Sequence, residues 1–325
     1  MPITAPDARP AAAGHPAPGT VLSADQARAE REAHAERADR LTAGHRERKA
    51  AGIAHPVEDF LYTYYPFSPS LLRRWHPGWQ VGYDPAADAE HSGVADVQAD
   101  GSRTWYADAP DAPVRRADTE AFLAARGDAV AWIVRLLEAS TLASRRPNFG
   151  CYGLHEWAMV YRQKPGERRH SSLPLRLSRE QTDRVVQEHS LACTHVDAFR
   201  FFTPEAVGLN AVQLTRATQI QRENPACLHA GMDLYKWAMK LVPLVPSSLA
   251  LDCFEHARQI RVLDMEASPY DCRGLGYAVV AIETPEGKAE YVRRQRELAT
   301  RSDELRAQLL DSLMPLTPHL PEVWT

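Results

Sequence analysis

The sequence has no run of about 18 apolar residues, which excludes a membrane-spanning helix. Nor does its N-terminus carry the apolar stretch of a secretory leader, so a cytoplasmic location is expected. Cysteine is sparse: Cys151, Cys193, Cys227, Cys253 and Cys272 are odd in number, widely spaced and without a CxxC. That pattern argues against a disulfide framework and for reduced thiols packed as small apolar groups. Positive charge is not in excess, with 38 Lys and Arg against 42 Asp and Glu, so no global field draws the chain to nucleic acid. Local signatures are missing too: there is no Gly-rich phosphate loop, no HExxH, no GxSxG, and no His-x-Glu joined to a CxxC. "CRGLGYA", from Cys272, has two glycines after no convincing strand and is not a dinucleotide fingerprint.

What is present is an ordinary globular composition, 44% hydrophobic and 25% charged over 325 residues, enough to build a sizeable core. Residues 1–20 are rich in Ala and Pro with little to bury, and are expected to form a disordered tail. Ser23 with Gln26 reads as a capping box opening a charged surface helix that runs to about Lys49. Helical patterning returns over 118–141, 148–163, 179–189, 204–222, 226–241, 248–266 and 285–312. "ADGSRTWYADA" reads as a hairpin arm, and "GYAVVAIE" as a short strand or an extended linker. The expectation is a mainly α fold: one compact helical domain over 21–315, with peripheral charged helices at both ends and a small β-like hairpin. Its functional core is placed at 147–273, and a Pro-rich tail spans 316–325.

Chemistry concentrates in that core. At 100° per residue, His229, Asp233, Lys236 and Lys240 fall within a stripe of about 60° on a helix that is otherwise apolar or aromatic. A helix that narrow in polar surface is expected to be buried over most of its circumference. Asp252, Glu255, Gln259 and Glu266 share another stripe, bordered by His256, whereas Asp264 falls on the apolar side of that helix. Asp264 is therefore the acid expected to be buried, with an Arg or a helix N-terminus as its partner. Arg258 and Arg261 read as surface charges or as a clamp for an anion, the surface being favoured. The pairs His155/Glu156, His195/Asp197, His229/Asp233 and Glu255/His256 all lie within this one segment, which suggests convergence on one pocket. Tyr152, Trp157, Phe201, Phe202 and Tyr235 are either core or the walls of a pocket that stacks a planar ligand.

Four blocks, "HPVEDFLYTYYPFSPSLLRRWHPG", "NFGCYGLHEWAMVYR", "CTHVDAFRFFTPEA" and "CLHAGMDLYKWAMKLVPLVPSSLALDCFEHARQIRVLDMEASPYD", carry a resemblance. Across about residues 21–320 the chain resembles a family of actinobacterial proteins named 3-methyladenine DNA glycosylase. The resemblance implies a hydrolase that flips an alkylated purine out of DNA and cleaves its N-glycosidic bond without a cofactor. Asp233 or Glu255 would stabilise the sugar cation and orient water, with His256 or His229 alongside, and a bifunctional enzyme would instead use Lys236 or Lys240 as a nucleophilic amine. Tyr152, Trp157, Phe201, Tyr235 and Arg258 would hold the base, and Arg73, Arg74, Arg162, Lys164, Arg168 and Arg169 would line a basic groove. The chain has neither the Gly-rich hairpin of helix-hairpin-helix glycosylases nor an internal helical repeat.

Two other readings compete. One is a helical metal-dependent enzyme, a hydrolase or oxygenase acting on a small molecule. In it, at least three of His155, Glu156, His195, His229, Asp233, Glu255 and His256 ligate iron, manganese or zinc. The regular Glu-x-x-His spacing of di-iron bundles is absent. The other is a binding protein whose polar stripes face solvent or a partner chain.

Overall fold

The computed structural model describes residues 16–88, 105–163 and 172–321. The fold is mainly α, 58% helix against 5% strand, as the helical periodicity implies. β1 (Val21–Leu22) leads into α1 (Ala24–Ala50), which opens on a complete capping box between Ser23 and Gln26. The helix buries a stripe of Ala27, His34, Ala38 and Thr42 and leaves its charged faces to solvent. Single-turn helices α2 (Phe60–Tyr64) and α3 (Pro69–Leu72) follow, the second capped by Ser68 with Pro69 at its first position. β2 (Gly82–Tyr83), β3 (Tyr106–Asp108) and β4 (Arg115–Ala117) complete a sheet of order β1-β2-β4-β3. β1 and β2 are parallel and the other pairs antiparallel, with β3 and β4 in register Tyr106↔Ala117. The expected hairpin arm thus contributes β3, while its first residues, 99–104, lie outside the described residues. So do 1–15 of the expected N-terminal tail and 322–325 of the C-terminal one.

The remaining helices are α4 (Thr119–Ala139), α5 (Leu154–Ala158), α6 (Arg179–Glu188), α7 (Val196–Phe199), α8 (Pro204–Val207), α9 (Gln219–Arg222), α10 (Leu228–Leu241), α11 (Ser247–Glu266) and α12 (Pro285–Leu313). Two expectations are corrected. The helix over 148–163 shrinks to α5 because Tyr152 and Gly153 before it, and Arg162 after it, have positive φ, which breaks a right-handed helix. The helix over 204–222 breaks into α8 and α9. Gly208 ends the first, and the Asn210 side chain then ties the chain back to Cys193, accepting from its N–H and donating to its carbonyl. "GYAVVAIE" is a turn and extended linker with no strand.

By compactness the chain divides into two units, with boundaries inside α4, α10, α11 and α12. One holds the described residues up to Arg135, Leu234–Glu255 and the described residues from Leu305. It contains the sheet and an aromatic core in which the Tyr235 ring lies 5.5 Å from Tyr65 and 5.1 Å from Phe254. The other holds Leu136–Asp233 and His256–Glu304. Buried Trp157 is pinned there by its indole N–H, which donates to the Ala267 carbonyl at 2.9 Å, and the Gln295 amide donates to Ala226 at 2.7 Å. No described helix is long and apolar enough to cross a membrane, and all five cysteines are free.

Candidate metal centre

The unit built from Leu136–Asp233 and His256–Glu304 gathers the histidines and acids of four helices and one loop. α5 supplies His155 and Glu156. Its entry needs two left-handed residues, Gly153 at φ 69° and Tyr152 at φ 48°. Glycine adopts this freely, but tyrosine does so at a cost of order 1 kcal/mol, a strain held by surrounding contacts. His195 is the N-cap of α7 and Asp197 sits in its first turn. α10 carries His229 and Asp233 one turn apart, both buried, while farther along the same stripe Lys236 is half-buried and Lys240 exposed. α11 supplies Arg261 and Asp264 on one face, three residues apart, and Glu223 follows directly on α9.

Asp264 has no exposed surface, and two groups meet it. The His155 Nε2–H donates to Oδ1 at 2.9 Å, and Arg261 Nη1 donates to Oδ2 at 2.6 Å. The same Arg261 nitrogen donates to Glu156 Oε1 at 3.1 Å, leaving Glu156 Oε2 buried without a hydrogen-bond partner among the described residues. Arg261, 1% exposed, is thus a buried bridge between two carboxylates, which corrects the surface placement expected for it. Burial works against charge on the His155 ring, yet the Asp264 carboxylate outweighs it and pushes that pKa up to about 10. For Asp264 burial acts in the opposite sense, but His155 and Arg261 hold it well below the carboxylate range.

His229 lies between two other imidazoles. Its ring centroid is 4.3 Å from that of His155, edge to face at 84°, and 5.2 Å from that of His195, nearly parallel at 23°. The ring is 6% exposed and makes no hydrogen bond among the described residues. Burial first, then the charge on His155, pushes its pKa well below the ordinary value, so the ring is neutral and keeps a lone pair. On the far side of His229, the His195 Nδ1–H donates to Glu223 Oε1 at 3.2 Å. That bond turns His195 Nε2 towards Asp233 Oδ2, 3.8 Å away. Gln219 in turn donates to Glu223 Oε2 at 3.3 Å, and Arg216 donates to Asp197 at 3.0 Å.

Two buried groups result, His155/His229/Asp264 and His195/Asp197/Asp233, and in each one ligand atom per residue lies within 4.8 Å of the others. Adjacent ligand atoms around an ion with bonds near 2.1 Å stand about 3 Å apart and opposite ones about 4.2 Å apart. The 2.9 Å between His155 and Asp264 and the 3.8 Å between His195 and Asp233 fall in that range. Two imidazoles with one carboxylate suit iron(II), manganese or zinc.

No protein-family model, curated protein or solved structure matches this chain. Its atoms alone carry the reading.

The other candidate residues are placed as follows. Lys236 Nζ sits 4.2 Å above the Trp237 ring, and Glu255 accepts from Arg37 of α1 at 3.0 Å. His256 is buried and shares a 2.8 Å hydrogen bond with Ser302. Tyr152 meets Tyr291 at 6.2 Å, Arg176 covers the Trp157 ring at 5.4 Å, and Arg200 covers Phe201 at 4.7 Å. Tyr235 belongs to the aromatic core of the other unit, and Arg258 is half-buried on α11. Of the groove residues, Arg73 pairs with Asp39 at 3.1 Å, and Arg162 covers Tyr161 at 5.1 Å. Lys164, Arg168 and Arg169 lie outside the described residues. Glu223 is absent from every sequence-based pairing. Its one signal is position, since it follows α9 in a stretch that reads as the end of a polar helix.

Proposed function

We propose that the protein is a metal-dependent helical enzyme in which His155, His229 and Asp264 hold one divalent ion. The observation that carries this is His229. One of its ring nitrogens lies within ligand distance of a second histidine and a buried carboxylate, and burial keeps the ring neutral, with a lone pair to give. An ion held here would be ligated by His155, His229 and Asp264, and its binding would release the proton that His155 shares with Asp264.

A divalent ion held there supplies Lewis acidity to a bound water or dioxygen. The protein's own groups do the rest. Arg261 fixes the orientation of Asp264 through Oδ2 and of Glu156 through Oε1, leaving Oδ1 of the former for the ion. Glu156 Oε2, buried and without a hydrogen-bond partner, is the carboxylate oxygen able to hold a proton taken from a bound water. Burial of the whole set excludes bulk water from the reacting centre. The substrate class is a small molecule, and the reaction is hydrolysis or oxygenation. Free thiols accord with a reducing, cytoplasmic setting.

The test is the metal content of the full-length protein, purified without chelator and without affinity metal. At least one equivalent of iron, manganese or zinc is expected, with none retained by His229→Ala at unchanged helicity. Metal-free protein that gains no thermal stability from any of the three ions would overturn the reading. Release of 3-methyladenine from alkylated DNA, unaffected by chelator, would return the chain to the N-glycosidic hydrolase class.

A further inference from the structure

In the unit that contains the sheet, β1 and β2 run parallel and β4 runs against β2. The residues entering β1, those entering β2 and the end of β4 therefore come together at one end of the sheet. A cleft of about 430 Å³ lies there, lined by Trp79, Gln80, Arg116 and Thr119 together with Pro18 and Ala117, a size within the range of small-molecule sites. Its frame is tied down. The Trp79 indole N–H donates to the Ser312 carbonyl at 2.8 Å, and the Gly19 N–H donates to the Gln80 carbonyl at 2.9 Å. Arg116 passes over β2 at Gly82, where a Cβ would stand 2.7 Å from its Nε and 3.1 Å from its Cγ. Glycine leaves that path open, and a larger residue would close it.

The lining combines apolar surface with hydrogen-bond donors. Pro18, Trp79 and Ala117 supply the first, and the Arg116 guanidinium, the Gln80 amide and the Thr119 hydroxyl supply the second, with no acid among them. Trp79, Gln80 and Thr119 are half-buried and Arg116 is exposed. The three polar side chains make no hydrogen bond or ion pair with another described residue. Arg115, next along β4, differs: it is paired with Asp88 at 2.8 Å and with Asp108 at 2.7 Å. Of the two arginines, one holds the sheet and the other is left to the cleft.

We propose that this cleft binds a small aromatic carboxylate, its carboxylate on Arg116 and its ring against Trp79. Guanidinium and carboxylate are both planar and meet through charge-assisted hydrogen bonds. Gln80 and Thr119 add neutral donors, and the apolar wall rewards a flat ring over a bare anion. The site shares no residue with His155, His229 and Asp264, so it stands or falls apart from the metal reading.

The experiment is equilibrium dialysis of the full-length protein against 2-naphthoate, against 2-naphthalenemethanol as its uncharged counterpart, and against inorganic phosphate as an anion without a ring. One equivalent of 2-naphthoate per chain is expected, with the alcohol and phosphate each bound at least about tenfold more weakly. Arg116→Gln removes an exposed side chain that supports no other described residue, so it should fold with unchanged helicity and bind 2-naphthoate about 10–100-fold more weakly. No binding of 2-naphthoate by the wild type at millimolar concentration overturns the proposal. So does equal binding of the alcohol, which would mean that no charge is read, or equal binding of phosphate, which would mean that no ring is. Binding unchanged in Arg116→Gln puts the ligand elsewhere and overturns it too.

Discussion

His155 Nε2 and Asp264 Oδ1 stand 2.9 Å apart, joining residues 109 positions distant in the chain. α5 offers His155 no partner of its own, whereas α11 pairs Asp264 with Arg261 three residues before it. Their pairing, with Arg261 as a third member, makes each charge tolerable to the other. The same three residues form the inner wall of the proposed centre, so stability and ion binding are coupled there, and variants can separate them.

Arg261→Met leaves Asp264 and Glu156 without their shared guanidinium. Breaking a buried ion pair from one side costs about 3–5 kcal/mol, and that loss is expected in urea unfolding of metal-free protein. A loss under about 1 kcal/mol would mean the two acids are compensated by other groups.

His229→Leu should behave in the opposite way. The imidazole gives no hydrogen bond to the fold, so an apolar side chain of similar volume should leave metal-free stability within about 1 kcal/mol of wild type, or raise it. The rise in melting temperature on adding manganese or zinc should vanish. If that rise persists, His229 is not a ligand.

Gly231 lies between His229 and Asp233 on α10. A Cβ there would run into Ser302 Oγ and stand 2.9 Å from Ile260 Cδ1. Ser302 cannot simply turn away, because it holds His256 at 2.8 Å. Gly231→Ala should cost about 1–3 kcal/mol and weaken metal binding by displacing both flanking ligands. Adding Ser302→Ala should recover part of that stability, read as non-additivity in a double-mutant cycle. Full additivity would show that the clash is absent.

Acid stability should report on the unit that contains α1. Burial pushes the His34 pKa down to about 4, against a hydrogen bond from its Nε2–H to the Leu72 carbonyl at 2.9 Å. The unfolded chain binds this proton near pH 6.5 and the folded chain does not. Stability is therefore complete above about pH 6.5 and falls as the pH drops towards 4. His34→Gln, which keeps a donor for Leu72, should flatten that fall. An unchanged pH profile would assign the acid sensitivity to other groups such as His76, which burial lowers to about 3.

Much of the local structure is legible in the amino acids. Ser23 and Gln26 mark the start of α1 because a hydroxyl and an amide three residues apart satisfy each other's backbone. The narrow stripe of His229 and Asp233 marks α10 as a buried helix, and the apolar neighbours of Asp264 mark it as a buried acid. These are consequences of period and composition, which act within one helix. Where one face gives way to another along a helix is less legible: His229 and Asp233 are buried, whereas Lys240 on the same stripe is exposed.

What the sequence by itself determined is which side chains must leave water. It names His155, His195, His229 and Asp233 as candidates, and it calls for a partner to Asp264. Only tertiary structure decided who meets whom. It brought Arg261 inward from an expected surface position and set Glu223, which no motif marks, against His195. It placed the imidazole of His229 between two others. The reason is physical: a periodic pattern fixes the direction of a side chain within its own helix, while a ligand set depends on distances between helices far apart in the chain. Those distances come from how the cores around Trp157 and its neighbours pack.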